Sequence, residues 1–115
     1  MSGSLHGAQV DLSAVNAPNG RDGGVAHGAR LIAFADAVMG SDDAALARER
    51  AALRAVLSDE AFVDTCAVIG AFNVVDRIAD ATGIPLDAGM AAMSGDVRRE
   101  LGLARFASSA NSPGL

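Results

Sequence analysis

The stretch that decides the fold is AFNVVDRIADATGIPLD, residues 71–87, where an apolar run takes up four polar residues, Asn73, Asp76, Arg77 and Asp80, and then stops at a glycine and a proline. Gly83 suits a helix C-terminus, where a left-handed residue closes the last turn, and Pro85 prevents continuation. Upstream, every residue from Cys66 to Val75 except Asn73 is apolar or glycine. No continuous polar face remains, so the pattern predicts a helix over 59–82 buried on nearly all sides. Ser58 precedes it as a cap, with Asp59 and Glu60 in the first turn, where they favour the helix dipole.

Working outward, SDDAALARERAALRAVL, residues 41–57, opens on Ser41 as the expected N-cap and puts Leu46, Leu53 and Leu57 on one side. Before it, Leu31, Phe34 and Val38 fall at helical spacing, and Gly40 is expected to end that helix in the left-handed region. Beyond Pro85 the pattern predicts a helical turn near Met90 and a short helix from Asp96 to Leu103. Nothing alternates with period two, so the expected fold class is all-α, a small helical bundle. Its expected organisation is a Gly/Asn/Pro-containing leader arm over 1–26, a helical domain over 27–105 and a flexible tail over 106–115.

Composition narrows the function classes. The chain has 115 residues, net charge −5 and nine Lys plus Arg, all of them scattered arginines, so no basic stripe offers itself to nucleic acid. The apolar run is far short of the roughly 20 residues that span a bilayer, and the first residues lack the basic start and apolar block of a secretory signal. The expected setting is cytoplasmic, away from membrane. A single cysteine, Cys66, excludes an intrachain disulfide and a cysteine-rich zinc site. His6 and His27 stand in no ligand spacing, and the glycines of GRDGGVAHG, residues 20–28, lack the lysine of a phosphate loop, so neither a metal nor a cofactor is expected. Met90 and Met93 read as core filler.

The segment ERAALRAVLSDEAFVDTCAVIGAFNVVDRIADATGIPLD, residues 49–87, resembles the C-terminal half of the alkylhydroperoxidase D-like and carboxymuconolactone decarboxylase-like superfamily, particularly its peroxidase-related members. Leu57, Ser58, Asp59 and Glu60 occupy the turn before that family's apolar helix. Phe72, Asn73, Asp76, Arg77, Gly83 and Pro85 match its end, and residues 29–39 resemble the preceding helix. The resemblance implies an all-α bundle of that type, completed by oligomerisation. The family's Cys-x-x-Cys and its following histidine have no counterpart here. A two-cysteine peroxide cycle needs one thiolate to attack and a second thiol to resolve the sulfenic acid, which one cysteine per chain does not provide.

Two functions follow as expectations. The first is an interaction or oligomerisation module, assembling with itself or with a separate chain that supplies the Cys-x-x-Cys half, as a shortened or split form of the family would. The second is a divergent oxidoreductase or decarboxylase-like enzyme, with Cys66, Asn73, Asp76 and Arg77 as the candidate catalytic residues. For Cys66 the sequence favours a small core residue, since it sits in CAVIGAF without a neighbouring cation. Arg77 stands within a helical turn of both Asn73 and Asp80, so the expected arrangement is a partly buried cluster in which Asp76 or Asp80 holds the guanidinium.

Overall fold

A computed structural model describes residues 4–5, 8–17 and 20–112. The chain is all-α, with four α-helices among these residues: α1 Gly28–Met39, α2 Asp43–Arg54, α3 Asp59–Thr82 and α4 Ala88–Glu100. The exception is a two-residue antiparallel pair, Ser4–Leu5 with Ala8–Gln9, in the segment read as a leader. Short 3-10 turns cover Leu12–Asn16, Leu103–Arg105 and Ala107–Asn111, the last within the stretch read as a tail. The described residues form two compact units that divide after Ala71, within α3.

In the first unit α1 packs on α2, and the core is small. Phe34 and Leu53 are 2% and 0% exposed, and with Ala14 they make up the buried apolar set among the described residues. Phe62, from the first turn of α3, meets Phe34 with ring centroids 5.5 Å apart at a tilted 46°, a favourable geometry for aromatic quadrupoles. The Arg54 guanidinium lies 5.7 Å from the Phe62 ring centroid and covers its outer side.

Local chemistry explains the boundaries. Asp42, not Ser41, caps α2, its Oδ1 accepting from the amides of Ala44 and Ala45 at 2.9 and 3.0 Å; a carboxylate there also meets the positive end of the dipole. Ser58 caps α3 as expected, accepting from the Ala61 amide at 3.2 Å. Gly83 closes α3 in the left-handed region at φ +63°. Gly40, by contrast, leaves α1 in extended backbone at φ −82°, ψ −172°, because the chain turns directly into the Asp42 cap rather than coiling further. The exposed His27 precedes α1 without capping it; Asp22 Oδ1 accepts from the Ala29 amide at 2.9 Å instead. Gly28 is obligatory there, since a Cβ would overlap the Asp22 carbonyl oxygen. His6 lies outside the described residues.

In the second unit, the two short segments expected beyond Pro85 are one continuous helix, α4. Asp87 caps it by accepting from the Met90 amide at 2.9 Å, and the Ser94 hydroxyl donates back to the Met90 carbonyl at 2.6 Å, bonding within the helix at the Ser-Gly pair rather than competing with it from outside. Met90 and Met93 are exposed, not core.

The largest departure from expectation concerns α3, which has no buried residue. Ala61, Phe62, Thr65, Ile69, Asn73 and Ala79 are partly covered and share one side of the helix. Six large apolar residues on the helix stay exposed: Val63, Val68, Phe72, Val74, Val75 and Ile78. Within the chain the first turn of α3 is the part that meets a neighbour, through Phe62 against Phe34, and no residue of the helix is buried.

Two outcomes test this description. Leu53→Ala should cost about 2–5 kcal/mol in denaturant melts, as for a fully packed leucine, whereas Val63→Ala should cost a small fraction of that. At the N-terminal turn, the Asp11 carboxyl is held below its ordinary 3.8, first by hydrogen bonds from the Ser13 hydroxyl and then the Ser13 amide, with Arg21 adding a smaller electrostatic pull against slight desolvation. A depressed folded value means that the carboxylate's contribution is present above the unfolded value and is lost as pH falls through the depressed one. Carboxyl NMR titration should show Asp11 titrating below its ordinary value, and Ser13→Ala should raise it more than Arg21→Ala does.

Candidate functional site

The residues singled out by sequence lie along the second half of α3. Arg77 donates from Nε to Asn73 Oδ1 at 2.8 Å, one turn back. It forms no ion pair with Asp76 or Asp80 among the described residues, where the only salt bridges are Arg21–Asp11, Arg54–Asp59 and Arg99–Asp96. Asp76, Arg77 and Asp80 are all exposed, and Asn73 is half-buried. The expected buried carboxylate clamp is therefore replaced by a solvated amide–guanidinium pair. Helical side chains lean toward the N-terminus, so Arg77 reaches four residues back to Asn73 and away from Asp80, while Asp76 points about 100° around the helix.

Cys66 is exposed, which corrects its reading as a core thiol. The outward face of α3, the feature that was misread as buried, includes it. Seven residues separate it from Asn73, about 10 Å along the axis at 1.5 Å per residue, so the structure does not gather Cys66, Asn73, Asp76 and Arg77 into one chemical site. Neither of the two principal clefts is lined by any of them.

One of those clefts was missed by sequence reasoning. It lies in the second unit, encloses about 1000 Å³ and is floored by Leu86, Leu103 and Phe106, with Arg98 and Arg99 on its wall. Arg98 is held by its own helix, donating from Nε to Ser94 Oγ at 3.1 Å and from a terminal nitrogen to the Ala91 carbonyl at 2.8 Å. Arg99 pairs with Asp96, and Arg105 stacks 4.9 Å from the Phe106 ring centroid. The amide of Leu86 donates to Ser112 Oγ at 2.7 Å and fixes the far rim. The sequence signal was the adjacent pair Arg98–Arg99 followed by GLARF, residues 102–106. The second cleft, about 350 Å³ between α1 and α2, is lined by Asp36, Asp42 and Glu49 among small residues. Among the described residues no three of His, Cys, Asp and Glu converge as a metal-ligand set. No helix among them is long and apolar enough to cross a membrane; α3 has the length but carries Asp59, Glu60, Asp64, Asp76, Arg77 and Asp80.

No family model matches the chain, and no curated protein or solved structure matches it either.

The geometry at Arg77 sets the size of its contribution. An exposed pair is worth about 1 kcal/mol or less, so Arg77→Ala should cost no more than Arg54→Ala, whose guanidinium covers Phe62 and reaches Asp59 at 3.2 Å. Paired denaturant melts measure the contrast; a loss of several kcal/mol at Arg77 would show a desolvated charge there.

Proposed function

We propose that this chain is a helical interaction module that assembles through the open face of α3, and that it is a relative of the C-terminal half of the alkylhydroperoxidase D-like and carboxymuconolactone decarboxylase-like superfamily without a redox cysteine pair of its own. The observation that carries the assembly reading is that α3 leaves Val63, Val68, Phe72, Val74, Val75 and Ile78 exposed and buries none of its residues. Single surface apolar residues are ordinary, but this concentration on one helix marks an interaction surface. The family reading is supported by the residues of 49–87 and by the order helix, Ser58-capped turn, long helix, Gly83 and Pro85. The cytoplasm remains the proposed setting.

The enzyme reading lacks a comparable support. Asn73 and Arg77 bond to each other on an open helix surface, and a solvated pair offers none of the enclosure that acid/base chemistry uses.

Sedimentation of the purified chain at micromolar to high micromolar concentration tests assembly, with dimers or larger species expected. In Val74→Glu/Ile78→Glu, two carboxylates would lie within the contact, and burial of unpaired charge should weaken association on the order of a hundredfold or more. Retained helical circular dichroism separates this from unfolding. A well-folded parent that stays monomeric at high micromolar concentration would overturn the module reading.

A further inference from the structure

We propose that the cleft of the second unit is a binding site for a small amphipathic monoanion, an apolar body carrying one carboxylate, and that Arg98 holds the carboxylate. The site is built wholly from residues of that unit and is independent of assembly through α3. Its volume, about 1000 Å³, stands at the upper end of the roughly 300–1,000 Å³ that small-molecule sites span.

The lining joins two chemistries. Leu86, Leu103 and Phe106 offer an apolar floor, while Arg98 and Arg99 stand on the wall, and no Asp or Glu is among the described residues that line the cleft. In a chain with 14 acidic residues against nine arginines, that is a local reversal of charge.

The two guanidinium groups converge on Gly95. A terminal nitrogen of Arg99 lies 3.8 Å, and one of Arg98 3.9 Å, from the point where a Gly95 Cβ would stand. Two cations over one glycine repel each other unless a counter-charge is present, and Asp96 supplies one, to Arg99. Arg98 has no ion pair among the described residues. Its Nε donates to Ser94 Oγ at 3.1 Å and a terminal nitrogen donates to the Ala91 carbonyl at 2.8 Å, both neutral acceptors. The half-buried side chain is thereby fixed at two points by its own helix without being neutralised, and three of a guanidinium's five N–H groups remain to donate elsewhere.

That balance defines the ligand. One unmatched positive charge is answered by one negative charge, and a planar guanidinium fork matches a carboxylate in shape as well as in sign. The apolar floor takes the aliphatic or aromatic body to which the carboxylate is attached. Because Arg98 is already positioned, little side-chain freedom is lost when the anion arrives.

Amide NMR titration of the isotope-labelled full chain with decanoate, decanol and acetate tests the assignment, with decanoate kept below its micelle concentration. Decanoate should shift amides centred on Leu86, Gly95, Leu103 and Phe106. Decanol, which has the chain without the charge, and acetate, which has the charge without the chain, should each bind at least about tenfold more weakly. Arg98→Met keeps an apolar stem, so it should weaken decanoate about tenfold or more and leave decanol unchanged. Phe106→Ala, at a residue 48% exposed and outside any core, should weaken both; it remains informative if circular dichroism shows that Arg98→Met has lost helix. Decanol binding as tightly as decanoate, decanoate shifts confined to α3, a folded Arg98→Met with unchanged decanoate affinity, or no binding at millimolar decanoate would each overturn the site, and none of these outcomes bears on the sedimentation test of assembly.

Discussion

A helix of 24 residues needs cover on as many sides as it is apolar, and this chain buries none of its residues. The first unit spends its largest apolar side chains on the contact of α1, α2 and the start of α3, where Phe34, Leu53 and Phe62 meet. Little is left for the rest of α3, because the remaining apolar residues are mostly alanine and valine and aromatics are 3% of the chain. Exposed area does not convert directly into affinity, so the uncovered side chains mark where cover is missing without setting how tightly anything binds there.

Which features were legible in the sequence follows from the range of the interactions that set them. The bounds of α3 were readable because Ser58, Asp59, Gly83 and Pro85 act within a turn of the backbone they control. The cap of α2 moved by one residue because Ser41 and Asp42 are both competent and the carboxylate bonds two amides. Continuity of α4 was hidden by Gly89 and Gly95, which lower propensity locally, while the Asp87 cap fixes its start. Burial was the quantity misread. An all-apolar pattern implies that a helix seeks cover, but its own sequence does not say whether the cover lies in the same chain, and Cys66 was assigned to a core on that account.

The candidate site shows a finer limit. Spacing alone placed Asn73, Asp80 and Arg77 within reach of one another, but reach along a helix is directional. Arg77 bonds backward to Asn73, Arg98 bonds backward to Ser94 and Ala91, and Arg99 pairs backward with Asp96. In each case the guanidinium finds its partner toward the N-terminus. A carboxylate three residues ahead of an arginine is therefore a poorer expectation than an acceptor three or four residues behind it. Applied to the sequence, that rule finds Asn73 rather than Asp80 as the partner of Arg77.

Glycine inside a helix costs about 1 kcal/mol relative to alanine, and the glycines that bound the helices have evident reasons for being there: Gly28 to clear the Asp22 carbonyl and Gly83 to turn the chain at positive φ. Gly70 has helical backbone and is exposed, and a Cβ built there would meet nothing within 4 Å beyond its own helix backbone. Within a single chain alanine would serve better at this position, since the site has room and the helix would gain. Gly95, inside α4, is a second such position, with only the ends of the Arg99 and Arg98 side chains near a Cβ built there, so an interior glycine in these helices follows from neither a turn nor a close approach within the chain.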